Sequence, residues 1–222
     1  MRSEDVVGHF QKTWKDYDDW YDAHPVLYRT EMAALRKAVP RRGRGLEVGV
    51  GTGRFAEPLR VRFGLDPSPG MLGLAKDRGI LAVQGIGEAL PFKAASFDFL
   101  LIVFVLEFVD DLQGFLGEAA RALRPGGALV TGLIDKDSAW GRHFHSSSEA
   151  RRFFHPPAPQ ELVGILESVG LQFQQSWQTL FGPPPDLRRA ERPRPGFGQG
   201  GFVVLKARKK GSKIHCRRGE DR

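Results

Sequence analysis

The segment Gly45-Leu46-Glu47-Val48-Gly49-Val50-Gly51-Thr52-Gly53-Arg54-Phe55-Ala56 constrains the fold of this chain more than any other stretch. A short apolar run carries an acidic residue near its end, three glycines follow at alternate positions, and a helix-like pattern begins. The order implied is strand, tight glycine turn, helix. Glycine adopts positive φ without strain and lets a ligand approach the main chain closely. N–H groups at the start of the following helix point at whatever sits above the turn. A nucleotide-type ligand is therefore expected there. A dinucleotide fold uses G-x-G-x-x-G to approach a pyrophosphate, whereas the spacing here is G-x-G-x-G. The carboxylate of Glu47, two residues before the first glycine, suits a cationic ligand and repels a pyrophosphate.

The rest of the chain alternates strand and helix patterns. Phe10, Trp14, Tyr17 and Tyr21 fall on one helical face, and Pro25 ends or kinks that helix. A second amphipathic helix is expected from about Arg29 to Val39, and residues 40–44 form a basic turn. Strands are predicted over residues 45–50, 62–65, 81–84, 97–105 and 128–134, and helices over residues 54–60, 68–78 and 112–123. Pro125-Gly126-Gly127 stops the last of these helices. Residues 135–155 are polar and aromatic and read as a loop or cover. Pro159–Val169 reads as a helix, residues 171–180 and 201–207 as strands, and residues 181–194 as a proline- and arginine-rich loop.

This order predicts an α/β fold: a Rossmann-like, doubly wound, seven-stranded sheet, mostly parallel, with helices on both faces and an antiparallel C-terminal hairpin. The expected divisions are a helical cap over 1–40, a ligand-binding domain over 41–207 with cover loops at 135–158 and 181–200, and a disordered basic tail over 208–222.

The formal net charge of +7 looks like a nucleic-acid signal. Its location argues otherwise. Residues 206–222 hold eight Lys and Arg against two acids, so the body of the chain is nearly neutral. The tail reads as a solvated segment, and no nucleic-acid partner is expected. Cys216 is the only cysteine, which rules out an intramolecular disulfide and fits a reducing compartment. The first residues show no apolar signal-peptide core. The longest apolar run, Phe99 to Leu106, is too short to span a bilayer. A cytoplasmic monomer or homodimer without membrane insertion is expected.

Several ordered motifs across roughly residues 40–135 resemble the class I S-adenosylmethionine-dependent methyltransferases, specifically the small-molecule branch that includes the ubiquinone and menaquinone biosynthesis enzymes. The glycine motif is the first; the resemblance implies that Gly49, Gly51 and Gly53 cradle the methionine moiety and that Glu47 orients the loop and the ligand's ammonium. Gly64-Leu65-Asp66-Pro67-Ser68 is the second, with Asp66 placed to accept from both ribose hydroxyls, beside Pro67. A helix N-cap is the other reading of Asp66. The third is Gln84-Gly85-Ile86-Gly87-Glu88-Ala89-Leu90-Pro91-Phe92. Relatives often carry Asp at the position of Ile86, where it accepts from the adenine amine. Here recognition is expected to fall to backbone groups near Gly87 and Glu88 and to Ile86 packing on the ring; Glu88 is either a side-chain acceptor or a capping or surface residue. The fourth runs from Phe97-Asp98-Phe99 to Val109-Asp110-Asp111 and places Ile102 and Val103 beside the bound ligand. It lacks the N/D-P-P-Y/F element of nucleobase amino-methyltransferases, and Cys216 is too remote for cytosine C5 chemistry. The fifth, Arg121 to Gly127, is structural.

The resemblance implies methyl transfer from S-adenosylmethionine to a small-molecule acceptor by in-line displacement. The sulfonium is already a good leaving group, so alignment and desolvation can supply most of the catalysis, with a base needed only where the acceptor holds a proton. Tyr17, Trp20 and Tyr21 either close over the sulfonium, to which an aromatic face is suited, or pack in the core. Tyr21, Glu107 and His143 are the candidates for substrate chemistry. Glu107 stands where many relatives have His. His143, His145 and His155 lack a compact ligand spacing, so no metal is expected. Two other functions fit the same motifs: a non-catalytic S-adenosylmethionine-binding regulatory module, and an RNA methyltransferase using the basic tail.

Overall fold

Strands β1 (Gly45–Val48), β2 (Phe63–Asp66), β3 (Leu81–Gln84), β4 (Phe97–Val103) and β5 (Leu123–Ile134) lie parallel in the order β3-β2-β1-β4-β5. The computed structural model describes residues 2–146, 154–185 and 187–211. The chain reverses direction beyond β5. Strand β8 (Phe202–Lys209) pairs antiparallel with β5 from Ala128↔Arg208 to Ile134↔Phe202, and β6 (Leu171–Thr179) pairs antiparallel on its far side. The expected C-terminal hairpin is present. An eighth strand extends the predicted seven: β7 (Arg194–Pro195) adds two residues to the edge of β6. So short a strand, half of it proline, leaves no periodicity to read.

The period-two alternation of β4 builds a core on each face of the sheet. Phe99, Leu101 and Val103 face one layer with Leu35, Leu72 and Ala75, supplied by helices α2 (Pro25–Ala38) and α4 (Pro69–Asp77). Leu100 and Ile102 face the other, with Phe115 and Leu116 of α5 (Leu112–Ala122) and Leu162 and Leu166 of α7 (Pro159–Ser168).

Helix α1 (Arg2–Ala23) lies across α4 and is latched there by charge. Asp18 accepts from Arg54 Nε and Nη2 at 3.0 and 2.9 Å and from both terminal nitrogens of Arg78 at 2.9 Å. Asp22 accepts from Arg54 Nη1 and Nη2 at 2.8 and 2.6 Å. Burial works against the Asp18 charge, but the guanidinium groups of Arg78 and Arg54 outweigh it and hold the carboxyl well below the usual carboxylate range.

Four local expectations are corrected. Pro25 begins α2 as its first residue instead of merely ending α1, because its fixed φ and missing N–H suit a helix start. The helix after the glycine turn is a single turn, α3 (Ala56–Leu59), closed by Arg60 in the left-handed region at φ 58°. Strand β5 begins at Leu123 and passes through Pro125-Gly126-Gly127 as an irregularity in its pairing with β4. Arg208 and Lys209, assigned to a disordered tail, belong to β8, and Lys210 N–H donates to Gly170 C=O at 3.1 Å. Residues 212–222, with Cys216, lie outside the described residues. Part of the expected cover folds as α6 (Ala139–Phe144), anchored by Trp140 Nε1 donating to Gly182 C=O at 2.7 Å. Among the described residues no helix is long and apolar enough to cross a membrane.

Candidate functional site

The carboxyl ends of β1, β2 and β4 open into a cavity of about 400 Å³. This is where open α/β sheets bind ligands, because the loops leaving the strands diverge there. The glycine turn forms its floor. Gly49 and Gly51 have φ of +73° and +51°. A Cβ on Gly51 meets only Tyr17 at 3.7 Å and Met71 at 3.9 Å, so the space above it belongs to the cavity. A Cβ on Gly49 would lie 2.2 Å from Val105, so that glycine serves close packing as well as the turn. Gly53 is not a lining residue; its missing Cβ lets the turn pack on Ala75 and Ile80 of the α4 region.

The N–H groups of the turn are engaged within the protein. Gly49 and Val50 donate to Leu65 C=O, Gly53 donates to Val50 C=O, and Gly51 donates to Asp66 Oδ2 at 2.9 Å. At the start of the following helix, whose N–H groups were expected to face the ligand, Ala56 N–H is bonded to the Glu47 carboxyl and Glu57 N–H donates to Gly53 C=O. A one-turn α3 has little dipole to offer, and β1 and β2 use the turn's donors to lock the strand ends together.

Asp66 sits at the cavity wall and is 9% exposed. Its Oδ1 accepts from Ser68 N–H at 2.9 Å. Each oxygen of a carboxylate has two acceptor sites, so both retain one for a ligand. Burial raises its pKa, opposed by the N–H groups of Ser68 and Gly51. Ser68, not Asp66, caps α4 by accepting from Met71 N–H. Glu47 is buried at 1% exposure and lies outside the lining. Burial and the Asp66 charge push its carboxyl well above the ordinary value, while the Ala56 N–H pulls it back. One of its oxygens has no hydrogen-bond partner. The carboxyl therefore ties the end of β1 to the start of α3, as expected for a loop-orienting residue.

Pro67, Ile86, Gly87 and Glu88 all line the cavity. Ile86 is 49% exposed at its lip and is not a core residue. Gly87 is buried because a Cβ would lie 1.9 Å from the Phe115 ring. Val103 lines the cavity, but Ile102 does not: its side chain points to the α5 face, as strand alternation requires. Phe104, the residue after β4, takes its place in the wall with φ +54°. A bulky residue rarely adopts that conformation.

Helix α1 roofs the cavity with Val6, Phe10, Tyr17, Trp20 and Tyr21. The Tyr17 and Tyr21 hydroxyls are hydrogen-bonded at 2.9 Å, and burial pushes both phenols far above their usual range. Phe108, Phe144 and Phe154 also line the cavity, Phe108 with its ring 5.4 Å from that of Phe10. The other two substrate-chemistry candidates lie elsewhere. Glu107 is fully buried, its Oε1 accepting from Ile134 N–H at 3.2 Å, with burial pushing its pKa up to about 7; it ties the turn after β4 to the end of β5 and is not part of the lining. His143 is exposed beside Trp140 and Phe144 and outside the cavity wall. Among the described residues no cluster of three or more His, Cys, Asp or Glu is placed to hold a metal.

Among the lining residues that escaped sequence analysis, one carries a carboxyl group. Glu31 of α2 is 3% exposed, and its Oε2 has no hydrogen-bond partner among the described residues. A signal for it exists: Leu27, Glu31 and Leu35 share one helical stripe, which places a carboxyl at a core position.

The residues fit S-adenosylmethionine better than a dinucleotide. The described lining contains carboxyl groups at Glu31, Asp66 and Glu88 and no Lys, Arg or His, so a pyrophosphate would lack a counter-charge while a sulfonium or ammonium would not. When bound, that ligand supplies an electrophilic methyl group.

Comparison with known proteins gives the same result. The profile of the family described as "Methyltransferase domain" matches residues 46–131. An uncharacterised protein of Methanocaldococcus jannaschii is 37% identical over 203 residues, covering 90% of this chain and 98% of that one. A demethylmenaquinone methyltransferase of Tropheryma whipplei is 43% identical over 94 residues, 38% of this chain and 39% of the enzyme. Among solved structures, an S-adenosylmethionine-dependent methyltransferase of Thermotoga maritima, described as a possible histamine N-methyltransferase, superposes with TM-score 0.85 at 38% identity, covering 90% of this chain and 98% of that one. On these similarities, carried through nearly the whole length of the Thermotoga structure, the chain belongs to the class I S-adenosylmethionine-dependent methyltransferases.

Proposed function

We propose that the methyl acceptor is a small molecule held between the α1 roof and the wall formed by Val103, Phe104, Phe144 and Phe154. The observation that carries this reading is the apolar, largely aromatic lining of the cavity. A roofed volume of about 400 Å³ is in the range of small-molecule sites, and its walls offer a nucleic acid no phosphate contacts. The basic end of β8 argues in the same direction. Arg208 pairs with Ala128 at the amino end of β5, whereas the cavity lies at the carboxyl ends of the strands.

In this reading Gly49 and Gly51 give the methionine portion access to the backbone, and Asp66 accepts from the ribose hydroxyls. Ile86 packs on the adenine at the cavity lip, with Glu88 as the polar group nearest to hand. The aromatic roof excludes water, so alignment and desolvation do most of the work. Tyr21 shapes the roof with Tyr17; with its phenol pushed upward by burial, it acts as a hydrogen-bond partner and not as a base.

The test is release of S-adenosylhomocysteine from S-adenosylmethionine with a panel of small acceptors (amines, phenols, thiols and quinols) alongside bulk RNA. The expected outcome is turnover with a small acceptor that survives deletion of residues 212–222. Turnover with RNA alone, lost on that deletion, contradicts the proposal.

A further inference from the structure

Among the polar groups of the cavity, Glu31 is the one the proposed cofactor contacts leave without a role. It lines the cavity from α2, and its Oε2 is buried with no hydrogen-bond partner among the described residues. A buried carboxyl oxygen with no partner among the described residues is costly.

We propose that Glu31 binds the nitrogen of the methyl acceptor and takes up its proton, and that the acceptor is a small amine with an apolar or aromatic body. This rests on the small-acceptor reading above. Three observations favour an amine. The described lining has no Lys, Arg or His, so a carboxylate or phosphate acceptor finds no counter-charge. Much of the remaining cavity wall is rings, among them Trp20, Tyr21, Phe104 and Phe144, which accommodate a cation on their faces and an apolar body between them. Burial pushes the Glu31 carboxyl up to about 8, with no cationic neighbour to oppose it. The same burial lowers the basicity of a bound amine, so the two proton affinities converge.

The chemistry balances as follows. The acceptor enters as an ammonium ion, and the buried Glu31 carboxyl releases its own proton to water as the cation docks, leaving a carboxylate beside the nitrogen. One proton passes from nitrogen to a carboxyl oxygen, leaving a neutral acid and a nitrogen lone pair. That lone pair forms the N–CH3 bond as the CH3–S bond breaks with its electron pair going to sulfur. The products are a methylated ammonium ion and S-adenosylhomocysteine, and Glu31 ends the cycle protonated, as it began.

The test uses the full-length chain with S-adenosylhomocysteine present and three probes of matched shape: 2-phenylethylamine, 4-ethylphenol and 3-phenylpropanoate. Thermal shift reads binding, and an aryl-alkylamine panel with S-adenosylmethionine reads turnover. The wild type is expected to be stabilised by the amine and not by the carboxylate. Glu31→Gln is expected to lose the amine response and at least a hundredfold in amine turnover while keeping cofactor affinity within threefold. Glu31→Asp is expected to recover part of that turnover. Equal response to the phenol or the carboxylate overturns the substrate class. Wild-type amine turnover in Glu31→Gln overturns the role of Glu31. If the cofactor product binds but no small probe does and only a macromolecule is methylated, the small-acceptor reading itself fails, and this proposal with it.

Discussion

Asp66 shows how one carboxylate can serve the fold and a ligand together. Its hydrogen bonds to Gly51 and Ser68 N–H fix the ends of β1 and β2 against each other, and the remaining acceptor sites face the cavity. Asp66→Ala should weaken S-adenosylmethionine binding by about 1.5–3 kcal/mol, the range for hydrogen bonds to a charged group. Melting temperature and calorimetric affinity measured on one sample check this; loss of stability with unchanged affinity would assign Asp66 a purely structural role. Glu31 yields a second prediction at this scale, with the opposite sign for stability. Its carboxyl is raised from 4.5 to about 8. Below the ordinary value both folded and unfolded states are protonated and the native state carries no penalty. As the pH rises toward 8 the unfolded chain ionises while Glu31 does not, so stability falls across that window. The titratable groups that feel its charge, the Tyr17 and Tyr21 phenols, are themselves pushed upward by burial and hold their protons there. Glu31→Gln should therefore stabilise the free protein on the order of 3 kcal/mol at pH 7 and hardly at all at pH 4.5. Urea unfolding at the two pH values measures the difference, and equal stability of wild type and variant at both would refute it. Asp66, Gly51 and Ile86 were legible in the sequence because motif spacing fixes them relative to a strand end. Glu31 was not, because a glutamate in an amphipathic helix normally belongs to the solvated face.

Helix α1 is the element on which the cavity depends. Without it, the glycine turn and the residues after β4 would line an open cleft. Its aromatic stripe was visible as a 3.6-residue repeat, but the latch was not: Asp18, Arg54 and Arg78 lie on three separate elements and meet only in the fold. Asp18→Asn leaves two guanidinium groups facing a neutral amide. It should loosen the roof and weaken cofactor binding about tenfold, roughly 1.4 kcal/mol, while the sheet stays intact. Limited proteolysis within residues 5–23, with and without S-adenosylhomocysteine, reads the roof directly. An unchanged cleavage rate and unchanged affinity would remove α1 from the account. The helix after the glycine turn was over-read, since residues 54–60 carry helical composition but Arg60 turns left-handed after one turn. The two-residue β7 gave no signal to read.

For the whole molecule, the alternation of strand and helix patterns sufficed to predict a parallel sheet with a reversed C-terminal pair. The insertion of β8 between β5 and β6 was not legible, because both antiparallel strands read alike in sequence and only the packing of their faces decides which lies inside. The resulting sheet puts the cavity at one end of its strands and the basic end of β8 at the other, which separates the cavity from Arg208, Lys209 and Lys210. The account's central claim is that the cavity above the glycine turn is the S-adenosylmethionine site. Gly51→Val tests it most directly, because a Cβ there meets only Tyr17 and Met71 at ordinary contact distances and the side chain projects into the cavity. The left-handed backbone adds roughly 1–2 kcal/mol of strain, which a folded domain of this size can absorb. Calorimetric titration with S-adenosylhomocysteine should show one site in the wild type and none in the variant, with circular dichroism confirming that both are folded. Wild-type affinity in a folded Gly51→Val would contradict the assignment.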